Sequence, residues 1–289
     1  ADAVEQRLDM FCALPVDDVN DADELVEVVL GSDADARSLK GLCDLLTSIS
    51  EFAGVVKVRG AILEQQERAF GAESKDAGEA LYYLGIAYFH LGDHAKELEV
   101  LERALPIYEH EYGSDHTEVA DVLNELGGAY MGLGDYAKLR DVLERALAIK
   151  EREHGKDSTE VARVLGNLGI AYGDLGDRAK ERDMLERALA IDERAYGSNH
   201  TSVAIRLGNL GNVYRALGDH AKARDMLERA LAINERAYGR DHVEVAITLT
   251  NLGNAYGSLG DQAKKRDMLE RALAIDERAY GRDHPDVAG

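Results

Sequence analysis

Residues 117–155 read TEVADVLNELGGAYMGLGDYAKLRDVLERALAIKEREHG, and this stretch decides the fold. Leu123, Leu126, Tyr130 and Leu133 recur at steps of three and four, the spacing that gathers side chains on one helical face. Gly134-Asp135 ends that helix, glycine supplying a left-handed C-terminal cap. A second helix is predicted from about Tyr136 to Glu153, with Val142, Leu143, Ala146, Leu147 and Ile149 apolar. Gly127, beside Leu126, costs a helix ~1 kcal/mol relative to alanine. Its return at Gly85, Gly169, Gly211 and Gly253 implies a gain elsewhere, namely close approach of a neighbouring helix.

The whole pattern repeats every 42 residues, as Tyr88, Tyr130, Tyr172, Tyr214 and Tyr256 show. A period of this size means stacked helical pairs, each too small to bury its own apolar face. The stack offers a long surface rather than a pocket. Five repeats span about 75–112, 117–154, 159–196, 201–238 and 243–280, and the start of another follows within 72–289. Leu39, Leu42 and Leu46 fall in phase with Leu81, Leu84 and Tyr88, so 35–71 reads as a degenerate repeat. Residues 1–34 are out of register and suggest two short helices, about 2–13 and 21–30, capping an apolar edge. The start at Ala1 and the stop partway into a repeat suggest a piece of a longer protein.

The formal net charge is −21, and residues 1–36 carry eleven acids against Arg7 alone. Such a surface repels nucleic acid and anionic lipid, so neither is expected as a partner. No apolar run reaches the ~18–20 residues that span a bilayer. Cys12 and Cys43 have no metal-type spacing and make no disulfide framework, which points to free thiols in a reducing, cytoplasmic setting. With three prolines and no flexible linker, one continuous solenoid is the simpler organisation.

The links between repeats mostly read Gly-x-x-His. His116, His200, His242 and His284 stand where Ser158 stands in another copy, and Pro285 after His284 fits a first helical position. That makes this slot the N-cap. Histidines one repeat apart cannot converge on one ion, so no metal is expected. On the second helices, Glu99–Arg103, Asp141–Arg145, Asp183–Arg187, Asp225–Arg229 and Asp267–Arg271 have the four-residue spacing of solvated ion pairs. No phosphate loop and no paired nucleophile occur, so neither catalysis nor a cofactor is expected.

Leu-x-x-Leu-Gly-x-x-Tyr, then Gly-Asp, then Leu-Glu-Arg-Ala-Leu, resembles the tetratricopeptide repeat. Leu123, Leu126, Gly127, Tyr130, Gly134, Asp135, Leu143, Ala146 and Leu147 occupy its signature slots. The 42-residue form, joined by Tyr-Gly-x-Asp-His-x-x-Val-Ala at 238–246, is similar to the kinesin light chain type. The resemblance implies an all-α fold, a right-handed α-solenoid of antiparallel helix pairs. Its first helices would line a concave groove that binds an extended peptide or protein segment. In that groove it places Asn167, Asn209 and Asn251 in one slot, Asn212 and Asn254 one turn on, and Asn124 beside Glu125. Amides offer donor and acceptor together and can hold a backbone without reading its sequence. Arg163 and Arg215 supply positive charge, and Tyr82, Tyr83, Phe89 and His90 make the N-terminal end aromatic. Gly128, Gly166, Gly173, Gly208 and Gly257 imply a wide, shallow channel with few pockets. The lysine and arginine cluster that grips a terminal carboxylate in chaperone-tail binders of this family is absent.

One departure concerns the second helix. The family's small residue at the crossing is replaced by Glu97, Leu139, Glu181, Ala223 and Lys265, while alanine lies two positions earlier, from Ala95 to Ala263. Either that helix is rotated or it packs further away. Residues 11–24 mix apolar anchors with acids and would cap the edge or mimic a ligand in the groove. The competing readings are an architectural array and a sensor arm of a signalling protein. Residues 225–242 and 267–284 differ only at Asn234 against Asp276, and so near an identity favours an array that self-associates through its C-terminal end.

Overall fold

The computed structural model describes residues 25–27, 29–31 and 36–281. The 11–24 segment, Cys12 and His284 lie outside them. Helical backbone at 25–27 and 29–30 precedes α1 (Ala36–Ser48) and α2 (Phe52–Phe70). Five longer pairs follow: α3 (Lys75–Leu91) with α4 (His94–Tyr112), α5 (Thr117–Gly132) with α6 (Tyr136–His154), α7 (Thr159–Asp174) with α8 (Arg178–Tyr196), α9 (Thr201–Ala216) with α10 (His220–Tyr238), and α11 (Val243–Ser258) with α12 (Gln262–Tyr280). The fold is an all-α, right-handed solenoid of antiparallel helix pairs, with no strand among the described residues.

Caps set the boundaries. Ser74 and Ser158 accept an amide at the start of α3 and α7, and His116, His200 and His242 do so through Nδ1 for α5, α9 and α11. Asp93, Asp135, Asp177, Asp219 and Asp261 cap the second helices in the same way. The glycine before each aspartate, from Gly92 to Gly260, has φ between +73° and +86°, a conformation open to glycine at little cost.

The chain divides into two units, 1–149 and 150–289. In the first, Val26 is buried near Leu46 and Gly54, each helix from α1 to α5 packs on the next, and α3 also touches α5. In the second, consecutive helices from α7 to α12 pack in turn, and α9 also touches α11. The recurring helix glycine is where a pair closes up. A Cβ on Gly85 would stand 2.6 Å from Leu101 Cδ2, and one on Gly211 would stand 2.5 Å from Leu227 Cγ.

The periodic tyrosine ties one repeat to the one before. Tyr130 is 7 % exposed and its hydroxyl donates to Glu102 at 3.0 Å; Tyr214 and Tyr256 donate likewise to Glu186 and Glu228. Burial, with the acceptor carboxylate second, pushes these three phenols up to about 12. Lys138, Lys222 and Lys264 lie over the same rings at 4.6–5.2 Å.

The second-helix arginines do not form the four-residue pairs that the spacing suggests. Arg103, Arg145, Arg187, Arg229 and Arg271 reach back 36 residues to Glu67, Glu109, Glu151, Glu193 and Glu235 on the preceding second helix. Four of them also donate to a link carbonyl, of Ser114, Lys156, Ser198 and Arg240. Asp141, Asp183 and Asp225 take the adjacent Arg140, Arg182 and Arg224 instead. These arginines are fasteners between repeats.

The second helices are not rotated. Ala95, Ala137, Ala179, Ala221 and Ala263 point outward, while Glu97, Leu139 and Ala223 have no exposure at all. For Glu181 and Lys265 the space comes from a glycine on the partner helix. A Cβ on Gly173 would stand 2.6 Å from Glu181, one on Gly257 2.7 Å from Lys265, and small Ala223 matches large Arg215 in the slot of those glycines.

Candidate functional site: the first-helix face

The face lined by first helices differs between the two units. In the first unit one slot holds Glu79 and Asp121, and Glu125 lies one turn on. The equivalent slot in the second unit holds Arg163, Ile205 and Ile247, all exposed, the isoleucines at 59 % and 56 %. The first unit's face is therefore acidic and aromatic, and the second unit's is aliphatic with positive charge.

Asn167, Asn209, Asn212, Asn251 and Asn254 are all half-buried on α7, α9 and α11, and none of their amides makes a hydrogen bond among the described residues. Arg163 and Arg215 are exposed beside them. Arg206 is different: it pairs with buried Asp192 at 3.0 Å and donates to the Ala162 carbonyl, so it belongs to the joint between α7, α8 and α9. One repeat on, the same joint uses Asn234, whose Nδ2 donates to Thr248 Oγ1 at 3.0 Å.

The other expected residues belong to the first unit. Asn124 is only 6 % exposed, with Nδ2 donating to Glu125 at 3.3 Å. Tyr82 is half-buried, its ring 6.0 Å from that of buried Tyr108. Tyr83 is exposed, with the Arg59 guanidinium 4.9 Å from its ring centre, and Phe52 stacks on His90 at 4.8 Å. These groups and Asp44 line a cavity of about 320 Å³ in the first unit.

The glycines expected to leave a channel open are mostly covered. Arg206 fills the space at Gly166, Arg178 and Glu181 that at Gly173, Lys265 that at Gly257, and Glu97 with Phe89 that at Gly128. Only Gly208 of the five has open space where a side chain would stand. The exposed Ile205 and Ile247 were missed because isoleucine at helical spacing reads as core. Their slot is Glu79, Asp121 and Arg163 in other copies, and that polarity marks the position as outward.

Tetratricopeptide-repeat patterns match residues 78–118 and, in overlapping stretches, 118–278. The chain belongs to the tetratricopeptide-repeat family. That fold is a scaffold for protein–protein interaction, and members of this kind are typically non-enzymatic. Among solved structures, BtubC (BKLC) from P. vanneervenii is 24 % identical with TM-score 0.67, covering 81 % of this chain and 94 % of that one. A Podosopora anserina protein described as a kinesin light chain with nearly identical TPR-like repeats is 23 % identical with TM-score 0.62, covering 70 % of this chain and 96 % of that one. The apo form of RapI is 14 % identical with TM-score 0.59, covering 82 % and 96 %. These likenesses place the fold among kinesin light chain-like tetratricopeptide solenoids. No curated protein matches the sequence. No helix among the described residues is long and apolar enough to cross a membrane.

Proposed function

We propose that the tetratricopeptide chain binds an extended protein segment along the concave face formed by its first helices, without catalysis. The observation that carries this reading is the row of half-buried, unbonded asparagine amides flanked by exposed Ile205 and Ile247. These amides keep donor and acceptor uncommitted at a half-buried surface, where a segment's backbone can bond to both. The isoleucines would take apolar side chains of the segment, and Arg163 and Arg215 its acids. Free, buried Cys43, its thiol pushed up by burial, suits a reducing cytoplasm. A peptide array probed with the wild-type chain and with Asn209→Ala/Asn251→Ala tests the clasp. Spots bound by the wild type should fade with the variant; if they persist at equal strength, the asparagines do not hold the segment.

A second reading, end-to-end self-association, is favoured by Leu273. It is 45 % exposed on α12, whereas its counterpart Leu231 on α10 packs against the cluster of Val245 and Leu249. Light scattering without ligand should then show association that Leu273→Glu removes.

A further inference from the structure

The first unit contains a buried acid that its packing leaves half satisfied. Glu97 of α4 has no exposed surface; His94 Nδ1 meets its Oε2 at 2.8 Å, but its Oε1 has no partner. An open oxygen on a buried carboxylate is far costlier than a paired one. Burial holds this carboxyl above its ordinary range, His94 opposes that, and Glu125 adds to it. The surroundings come from α3 and α5. A Cβ on Gly128 would stand 3.3 Å from Oε1, and 3.6 Å from the ring of Phe89, which is 40 % exposed. One turn earlier on α5, buried Asn124 also has an open acceptor, Oδ1, beside the half-buried carboxylate of Glu125.

We propose that this cluster is a binding subsite for an arginine side chain of a partner protein. The open carboxylate oxygen of Glu97 and the ring of Phe89 meet at Gly128, with the Glu125 carboxylate acting on Glu97 and a second open acceptor one turn earlier on α5. A guanidinium suits this set, because its planar fork donates several N–H groups while its face stacks on a ring. Entry is beside Gly128, where the space a Cβ would take is held by Glu97 and by the half-exposed ring of Phe89, the side chain that swings aside. The subsite lies wholly within the first unit. It stands whether or not the asparagines of the second unit clasp a longer segment.

The test uses the full chain, labelled with 15N, and two probes: Ac-Ala-Arg-Ala-NH2 and the same peptide with uncharged citrulline. The arginine peptide should shift the Gly128 amide saturably, and citrulline should bind about tenfold more weakly or not at all, the loss expected for a charge-assisted contact. Gly128→Ala should weaken the arginine peptide by a similar factor. This variant keeps the fold, since alanine favours a helix and its contact asks only a few tenths of an ångström of Glu97. Glu97→Gln and the more exposed Glu125→Gln should each weaken binding too. An unmoved Gly128 amide, equal binding of citrulline, or unchanged affinity in Gly128→Ala overturns the proposal. Asn209→Ala/Asn251→Ala should leave this binding intact, so its outcome is separate from that of the clasp.

Discussion

Two glycines three positions apart on α9 should respond oppositely to the same substitution. A Cβ on Gly211 would meet Leu227 Cγ at 2.5 Å, Cδ2 at 2.9 Å and Cδ1 at 3.0 Å, and Leu227 is fully buried among Leu210, Tyr214 and Leu252. Three contacts at or under 3.0 Å put Gly211→Ala at the upper end of the cost of overpacking, about 2–3 kcal/mol. Alanine returns up to ~1 kcal/mol of helix propensity, leaving Gly211→Ala destabilised by about 1–2 kcal/mol. A Cβ on Gly208 meets nothing within 4 Å, so Gly208→Ala should gain roughly 0.5–1 kcal/mol. Urea unfolding followed by far-UV circular dichroism should show midpoints displaced in opposite directions. Because repeat arrays need not unfold in one step, amide exchange within α9 and α10 supplies the local reading. Adding Leu227→Ala makes room, so Gly211→Ala should cost little in that background. Equal stability of Gly211→Ala and the wild type would refute helix contact as the reason for the recurring glycine.

Three further outcomes are expected. Thr248→Val strands the buried Asn234 amide and should cost about 1–3 kcal/mol, most of it recovered by Asn234→Leu in the double variant, read by chemical denaturation. Arg229→Ala removes a half-exposed pair with Glu193 and should cost no more than about 1 kcal/mol, less at high salt; a large, salt-independent loss would mean the fastener does more than pair charge. Tyr130, Tyr214 and Tyr256, raised from 10.0 to about 12, keep protons that the unfolded chain releases. Their contribution is therefore complete below pH 10 and lost as pH climbs towards 12. Absorbance at 295 nm should show a late tyrosine class whose ionisation coincides with loss of helix, and a single early midpoint would contradict it.

What could be read in advance was whatever repeats along the chain. Helix ends at Gly134 and caps at His116 and Ser158 depend on neighbours a few residues away, and the structure has them where spacing puts them. The arginine partners are not legible locally: Asp141 and Arg145 satisfy the four-residue rule, whereas Glu109 lies 36 residues back and comes into reach only through stacking. Gly166 and Gly173 looked empty for the same reason, since Arg206 and Glu181, which fill them, sit on other helices. Asn124, which the resemblance places beside the Glu125 slot, has its side chain buried against Glu125, a contact that sequence spacing does not report. The isoleucines needed a comparison down a column of copies rather than along one helix.

The joints give the array an order that its surface lacks. Arg229 would find a glutamate 36 residues upstream after almost any exchange of whole repeats, because that outer pairing recurs from Arg103 to Arg271. The interior partners do not recur. Excising residues 201–242 would keep the rhythm and the fasteners, but it would seat Thr248 against Asp192 where Arg206 had been, stranding a carboxylate in the joint. These two joints are thus keys cut for different neighbours, and a chain shortened in this way would assemble on its rim and jam inside.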